Sequence, residues 1–179
     1  MNKAVREACA GRMECDGKTT DVRFHLQLYN SGVTVVVAAG NDNKDAIYYS
    51  PACVGEAITV AASTIGDEKA VFSNYGVPID IWAPGVNITS TWNDGKPKIM
   101  SGTSMATPHV AGFAAYLLGL DSSLTPAKIA EIIKEKARDG ILSGVREFFR
   151  STLHVWPPDA EVGVPIATGT INKLLNNPL

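Results

Sequence analysis

The sequence predicts an α/β fold with a mostly parallel sheet and helices on both of its faces. Two apolar segments, residues 33–39 and 57–62, are continuous and rich in β-branched or small side chains. Such runs are typical of strands that are buried on both sides. Helical patterns follow at residues 104–118 and 126–137. Strands followed by helices favour parallel pairing through crossover connections.

Turn residues mark where the predicted strands end. Residues 33–39 (VTVVVAA) stop at Gly40-Asn41-Asp42, which is favourable turn chemistry. The run AITVAA at residues 57–62 has the same apolar character. A third short strand is expected at residues 78–82, closed by Ala83-Pro84-Gly85.

The two predicted helices differ in character. The first has small side chains nearly all round, which predicts a helix buried in the core; these are Ala106, Ala111, Gly112, Ala114 and Ala115. The second begins with Thr125 as N-cap and Pro126 at the first helical position. Gly140 is its expected stop. Its apolar stripe consists of Ile129, Ile132, Ile133 and Ala137.

The composition is that of a globular chain. Of 179 residues, 45% are hydrophobic and 19% are charged, with a formal net charge of −2. This balance gives no basic field for nucleic acid, and no apolar run is long enough to predict a membrane span. The first residues lack the apolar segment of a secretory signal. The cysteines Cys9, Cys15 and Cys53 are odd in number, and ordinary free thiols are the favoured interpretation.

Ser104 lies where a turn enters the first predicted helix. The first N–H groups of a helix have no internal partner, and the helix dipole adds partial positive charge there. A hydroxyl at this point can attack a carbonyl while a nearby N–H receives the oxyanion. From position alone, a serine that merely caps the helix is the commoner case.

The surrounding residues nevertheless resemble a known family. GTSMATPHVAG at residues 102–112 closely resembles the nucleophile motif of the subtilisin-like (subtilase) serine proteases. Further blocks resemble the proteinase K-like branch in collinear order over residues 31–145: VTVVVAAGNDN at 33–43, YSPA at 49–52, FSNYG at 72–76, DIWAPG at 80–85 and STW at 90–92. The resemblance implies the C-terminal half of a subtilisin-like three-layer fold and the activity of a serine endopeptidase.

The resemblance assigns roles to individual residues. Ser104 becomes the nucleophile that forms an acyl-enzyme, and the Asn41 amide becomes a donor to the oxyanion. Ala38, Ala39 and Gly40 match a wall of the primary specificity pocket, which suggests an open, apolar pocket. His109 matches a structural histidine and is not expected to be the base.

A calcium site is also implied by the resemblance. Asp80 aligns with a calcium-binding carboxylate, and the carbonyl groups of Gly55 and Ala57 would be its partners. One carboxylate with carbonyl oxygens is reasonable chemistry for a hard cation. The alternative is that Asp80 is a capping or turn residue. No cofactor is required for the chemistry itself.

The general base and its orienting acid are missing from these residues. The family carries them in His-Gly-Thr and Asp-Ser/Thr-Gly motifs, and neither tripeptide occurs here. We therefore expect this chain alone to be inactive. The alternatives are a protease whose other half is encoded elsewhere and a non-catalytic remnant that binds peptides or inhibitors. Residues 1–30 and 146–179 are atypical, and residues 11–30 and 145–168 look like insertions.

Partners and location follow only from the resemblance. It implies polypeptide substrates and either the missing N-terminal half or a propeptide-like inhibitor as a protein partner. It also implies a secreted or vacuolar protein. Nucleic-acid and membrane partners are not expected from the composition. A nucleotide-binding α/β domain is set aside, because no glycine-rich phosphate motif opens a helix.

Overall fold

A computed structural model describes residues 20–143 and residues 173–174 of the chain. Residues 1–19 of the atypical N-terminal segment, the insertion at 145–168 and the cysteines Cys9 and Cys15 lie outside these residues. The helices are α1 (Thr20–Asn30), α2 (Thr103–Leu120) and α3 (Pro126–Lys136), and Ala46–Tyr48 form one 3₁₀ turn. The strands are β1 (Val36–Ala38), β2 (Ile58–Ser63), β3 (Ile81–Pro84), β4 (Ile88–Thr91), β5 (Pro97–Met100), β6 (Arg138–Asp139) and β7 (Lys173–Leu174).

The main sheet has the strand order β1-β2-β3-β7-β6. β1, β2, β3 and β7 are parallel, and β6 pairs antiparallel with β7. The register places Val37 opposite Thr59 and Ala61 opposite Trp82. β4 and β5 form a separate antiparallel hairpin. The predicted mostly parallel sheet is confirmed.

Both faces of this sheet are covered. On one face Val60 and Ile81 pack against α2, and Ile129 and Ile133 of α3 join the same cluster. On the other face Trp82 centres a second apolar cluster. A third cluster on β1 includes Leu26 of α1 among its partly buried residues. The three-layer arrangement expected from the resemblance is therefore present.

The observed strands differ from the predicted ones at their ends. The first is confined to Val36–Ala38, and the third begins at Ile81 instead of residue 78. The hairpin β4–β5 was not predicted at all. Its turn contains Asp94-Gly95, a strong hairpin signal, and Gly95 has a φ of 78°. Most of the flanking hairpin residues are exposed, so apolar alternation gave no second signal.

The prediction that the first long helix is buried all round is wrong for the described structure. α2 buries one face, which consists of Thr103, Ala106, Val110, Ala114 and Leu117. Ala111, Gly112 and Ala115 are exposed, and no described element covers them. Small residues allow close packing on any side of a helix, but they do not show which sides receive a neighbour.

The start of α3 is confirmed in detail. Thr125 is the N-cap, and its side chain accepts a hydrogen bond from the backbone N–H of Lys128. Pro126 occupies the first helical position, where a missing N–H is harmless. The helix ends at Lys136, before Gly140, because Ala137 already adopts an extended conformation with ψ 144°. Gly140 has a φ of 71° in the turn beyond β6.

The structure bears on two expectations from composition, one about the cysteines and one about membrane-spanning helices. Cys53 is disulfide-bonded, so the interpretation of all three cysteines as free thiols is wrong. An odd cysteine count excludes only complete pairing within a chain; it does not exclude one bond. Among the described residues, no helix combines the length and apolar character that crossing a membrane requires.

Candidate active site

The turn after β1 is held by a buried side chain from a distant segment. Asn74 is fully buried, and its Oδ1 accepts hydrogen bonds from the N–H groups of Asp42 and Lys44, each at 3.0 Å. Its Nδ2 donates to the carbonyl of Ala39 at 2.9 Å. Gly40 has a φ of 102°, and a Cβ on it would lie 2.4 Å from Asn74 Nδ2. The turn therefore requires both a glycine at position 40 and the Asn74 amide.

This turn brings Asn41 to the N-terminus of α2. Asn41 Oδ1 accepts from the backbone N–H of Thr103 at 2.8 Å, across 62 residues of sequence. A backbone N–H can only donate, so the oxygen of the Asn41 amide must face Thr103. The Nδ2 group of Asn41 has no hydrogen-bond partner among the described residues and remains available as a donor.

The Thr103 hydroxyl strengthens this link. Thr103 is fully buried, and its Oγ1 donates to Asn41 Oδ1 at 3.0 Å. The same oxygen accepts from the backbone N–H of Gly40 at 3.2 Å. One hydroxyl thus joins the helix start to two consecutive residues of the turn. The position of the Asn41 amide relative to α2 is fixed by three hydrogen bonds.

The first N–H groups of α2 are used unequally. Gly102 donates its N–H to Gly85 O at 2.8 Å, and Thr103 donates to Asn41. Met105 donates to Gly102 O at 3.0 Å. Within the described part of the chain, the N–H and the hydroxyl of Ser104 have no partner. Ser104 is exposed, so a ligand can reach both groups.

Gly85 sets how closely β3 approaches α2. A Cβ on this residue would lie 2.6 Å from Ala62 Cβ and 2.8 Å from Gly102 O. Both separations are far below contact distance, so no larger residue fits without moving the strand or the helix. This close approach anchors the start of α2 on the end of the sheet.

A cavity of about 340 Å³ lies beside Ser104. It is lined by Ile88, Thr89 and Ser90 of β4 and by Ser104, Met105, Pro108 and His109 of α2. His109 Nδ1 lies 2.9 Å from the carbonyl oxygen of Met105. Since a carbonyl oxygen only accepts, Nδ1 carries a proton that it donates within its own helix. This arrangement agrees with a positioned side chain and offers no contact with the Ser104 hydroxyl.

The three predicted pocket residues lie together at the end of β1, but they differ in how exposed they are. The Ala39 side chain is fully buried in the Trp82 cluster. Only its backbone can therefore border a cleft. Ala38 and Gly40 are partly exposed. Their attribution to a specificity pocket stays a prediction.

The predicted calcium residues converge on another cavity, of about 330 Å³. Gly55, Ala57 and Asp80 line it, together with Glu131 and Lys134 of α3. Asp80 Oδ1 lies 2.5 Å from Lys134 Nζ, and Oδ2 accepts from the Thr59 N–H at 2.8 Å. Both carboxylate oxygens are already engaged. Among the described residues no group of three His, Cys, Asp or Glu could hold a metal ion. This donor set does not fit a calcium ion while Lys134 occupies that position.

Burial and charge act on Asp80 in opposite directions. Its side chain is 20% exposed, and this desolvation raises the pKa of the carboxyl above its ordinary value. The Lys134 ammonium and the Thr59 N–H oppose that rise in the pKa, but burial is the larger effect. The charged form of Asp80 therefore depends on the neighbouring Lys134 ammonium.

The structure thus brings together one set of predicted residues. Asn41 and Ser104 lie at the same helix N-terminus, and Ala38, Ala39 and Gly40 lead into it. Asp80, Gly55 and Ala57 line a different cavity. The sequence analysis missed Thr103 and Asn74, which hold Asn41, and Lys134, which holds Asp80. Only the block FSNYG pointed towards Asn74; Lys134 gave no signal beyond a charged helix face.

The sequence matches those of known proteins. Residues 9–152 match the model of the Subtilase family. The chain is 52% identical over 118 residues to the cuticle-degrading protease of Metarhizium anisopliae, covering 66% of this chain and 30% of that protein. It is 47% identical over 134 residues to the extracellular serine proteinase of a Thermus species, covering 74% and 33% respectively.

Solved structures give the same result for the fold. A cold adapted subtilisin-like serine proteinase superposes with a TM-score of 0.70 and 39% identity, covering 84% of this chain and 47% of that one. The chain spans about a third of the length of each of these two curated relatives.

Proposed function

The chain belongs to the subtilase family, and on this premise we propose that it is the nucleophile-bearing part of a serine endopeptidase. Ser104 is the residue that is acylated by the substrate. The oxyanion donors are Asn41 Nδ2 and the backbone N–H of Ser104. The single observation that carries this proposal is the Asn41–Thr103 hydrogen bond of 2.8 Å, which leaves the Asn41 NH₂ group free beside Ser104.

The reaction follows from these groups. The Ser104 Oγ attacks the scissile carbonyl, and its proton passes to a general base. The carbonyl oxygen becomes an anion, and Asn41 Nδ2 and the Ser104 N–H donate to it. Collapse of this tetrahedral intermediate expels the amine, which takes the proton from the base, and leaves an ester on Ser104. Water then hydrolyses the ester by the same steps.

The substrate in this proposal is a polypeptide. Ala38, Ala39 and Gly40 border the side of the cleft that receives the residue before the scissile bond, with room for large apolar side chains. The cavity between β4 and His109 lies on the other flank of Ser104. The likeness to a proteinase named extracellular supports a secreted location, and a vacuolar location is the alternative.

The base and its acid come from another segment in this proposal. The described residues contain two histidines, His25 and His109, and neither has the His-Gly-Thr context. An N-terminal half that carried both groups would also cover Ala111 and Ala115, which α2 leaves exposed. This chain alone is therefore inactive towards peptides, and a propeptide-like inhibitor is a second possible protein partner.

The test joins the chain to a matching half. We expect the 179-residue chain alone to show no cleavage of a peptide p-nitroanilide that has an aromatic residue before the scissile bond. Fusion to the N-terminal part of the Metarhizium anisopliae protease, up to the start of the matched region, restores hydrolysis. Steady-state kinetics of both proteins measure the difference.

The control is the same fusion with Ser104→Ala, which retains the fold and loses the activity. A folded fusion that binds the peptide but cleaves nothing would favour the alternative, a non-catalytic remnant that binds peptides. Robust cleavage by the pure chain, abolished by Ser104→Ala, would contradict the proposed dependence on a second segment.

A further inference from the structure

Asp80 links the segment before β3 to strand β2 and to helix α3, through its two carboxylate oxygens and its backbone N–H. Oδ2 accepts from the Thr59 N–H on β2 at 2.8 Å, and the Asp80 N–H donates to Thr59 O at 2.9 Å. Oδ1 receives the ammonium of Lys134, which lies on α3. The ion pair therefore fastens α3 to the sheet beside residues 54–57.

The ion pair between Lys134 and Asp80 is partly shielded from solvent. Its side chain is 36% exposed and that of Asp80 is 20% exposed, so solvent screens this pair less than a surface pair. Glu131 also lines the cavity, but it is paired with Lys128 at 2.9 Å, and both of those side chains are about half exposed. The two lysines lie on the same helix and differ mainly in the burial of their partners.

We propose that the Lys134 ammonium takes the structural place of a divalent cation between Asp80 and the loop at residues 54–57, so that this chain is stabilised without calcium. The ammonium pairs with Asp80 Oδ1, the oxygen that a metal would bind. Glu56 and Glu131 also line the cavity, and Glu131 is paired with Lys128. A calcium ion takes 6–8 oxygen ligands. Entering this cavity, it would meet an Asp80 carboxylate whose two oxygens are both engaged, and it would be repelled by the Lys134 charge.

Lysine and calcium are then mutually exclusive occupants, and removal of the lysine creates the metal site. In Lys134→Met the cavity keeps Asp80 and the Gly55 and Ala57 backbones but has no internal cation. A divalent ion would restore the missing positive charge. This inference concerns stability and does not depend on Ser104 or on the proposed peptidase activity.

The experiment measures urea unfolding and calcium binding by calorimetry on the 179-residue chain, with CaCl₂ or EDTA present. We expect wild-type protein to unfold identically in both and to bind no calcium at millimolar concentration. Lys134→Met should raise the unfolding equilibrium constant by about tenfold or more in EDTA, because it leaves a largely buried carboxylate unpaired. Calcium, and not magnesium at equal concentration, should reverse most of this loss.

Two further variants keep the test decisive. Lys128→Met removes a matched charge from an exposed pair on the same helix and should change the unfolding constant by less than about threefold. Asp80→Asn combined with Lys134→Met removes both charges and should be more stable than Lys134→Met alone. If Lys134→Met does not fold, hydrogen exchange measures the protection of the backbone amides of residues 52–60 in the double variant and in Lys134→Arg.

Clear outcomes would overturn the proposal. Calcium binding by the wild-type chain with a submillimolar Kd means that Lys134 does not occupy the site. Equal stability of Lys134→Met and Lys128→Met means that the Asp80 pair contributes nothing beyond a surface pair. A Lys134→Met protein that calcium neither binds nor stabilises means that lysine and metal are not alternatives.

Discussion

Two polar centres of this molecule, one at Ser104 and one at Asp80, use their hydrogen-bonding groups in opposite ways. At Ser104, the Asn41 NH₂ group, the Ser104 N–H and the Ser104 hydroxyl have no partner within the described residues. At Asp80 both carboxylate oxygens are engaged, by Lys134 and by Thr59. The first centre is exposed, and the second is mostly buried.

Under the proposed function, this difference separates a site for chemistry from a site for stability. A catalytic centre needs donors that are held in place but not yet used, so that they can meet charge that develops during the reaction. A buried carboxylate needs every oxygen satisfied, because an unpaired charge in that position is costly. The supporting residues Thr103 and Asn74 supply the rigidity at the first centre without occupying its free donors.

The largest expected effect is a loss of activity at the first centre in a protein that stays folded. Asn41→Asp in the restored fusion keeps an oxygen for Thr103 but removes the NH₂ donor and adds negative charge beside the oxyanion. We expect kcat to fall by at least about 10²–10³-fold, which is the loss caused by removing one oxyanion donor from a subtilisin. Steady-state kinetics and urea unfolding together separate activity from stability.

The control for this substitution is Glu135→Gln on the exposed side of α3, far from the site. It should change neither kcat nor the free energy of unfolding. An Asn41→Asp fusion with normal kcat would show that the amide is not an oxyanion donor.

The next effect sharpens the role of Asn74. Asn74→Ala leaves the N–H groups of Asp42 and Lys44 and the carbonyl of Ala39 without their partner. The buried Ala39 carbonyl would be left unsatisfied at a cost of about 1–3 kcal/mol, and the two part-buried N–H bonds add to it, so we expect a loss of roughly 3 kcal/mol in the free energy of unfolding. Urea unfolding of the 179-residue chain measures it.

Asn93→Ala provides the comparison, because Asn93 lies exposed in the β4–β5 turn. It should cost less than about 0.5 kcal/mol. If the two substitutions were equally mild, the turn that carries Asn41 would not depend on Asn74.

The smallest effect tests the Thr103 hydroxyl. Thr103→Val keeps the shape but removes the bonds to Gly40 and Asn41, and we expect a loss of about 1–2 kcal/mol in unfolding free energy. In the fusion, kcat should fall less than for Asn41→Asp, since the backbone N–H of Thr103 still holds the amide oxygen. The measurements are urea unfolding and steady-state kinetics.

Thr107→Val is the matched variant, because the Thr107 hydroxyl donates only to Thr103 O within α2, at 2.8 Å. It should leave kcat unchanged. Equal kcat in both valine variants would show that the Thr103 hydroxyl does not position Asn41.

Local patterns explain which elements were predicted. The apolar cores of β1 and β2 and the N-cap of α3 depend on residues adjacent in sequence, and they were found close to their observed positions. The burial of α2 was overestimated, because small side chains permit contact on every side without showing where a neighbour lies. The β4–β5 hairpin was missed because its strands are largely exposed and carry no apolar alternation.

The sequence by itself determined the family and the α/β class and predicted Ser104 as the nucleophile, since these depend on contiguous motifs and local periodicity. Only the tertiary structure decided that Asn41 Oδ1 meets Thr103 across 62 residues and that Lys134 reaches Asp80. Those contacts join side chains from separate elements. Their existence follows from how the sheet and helices pack, and no local pattern encodes that packing.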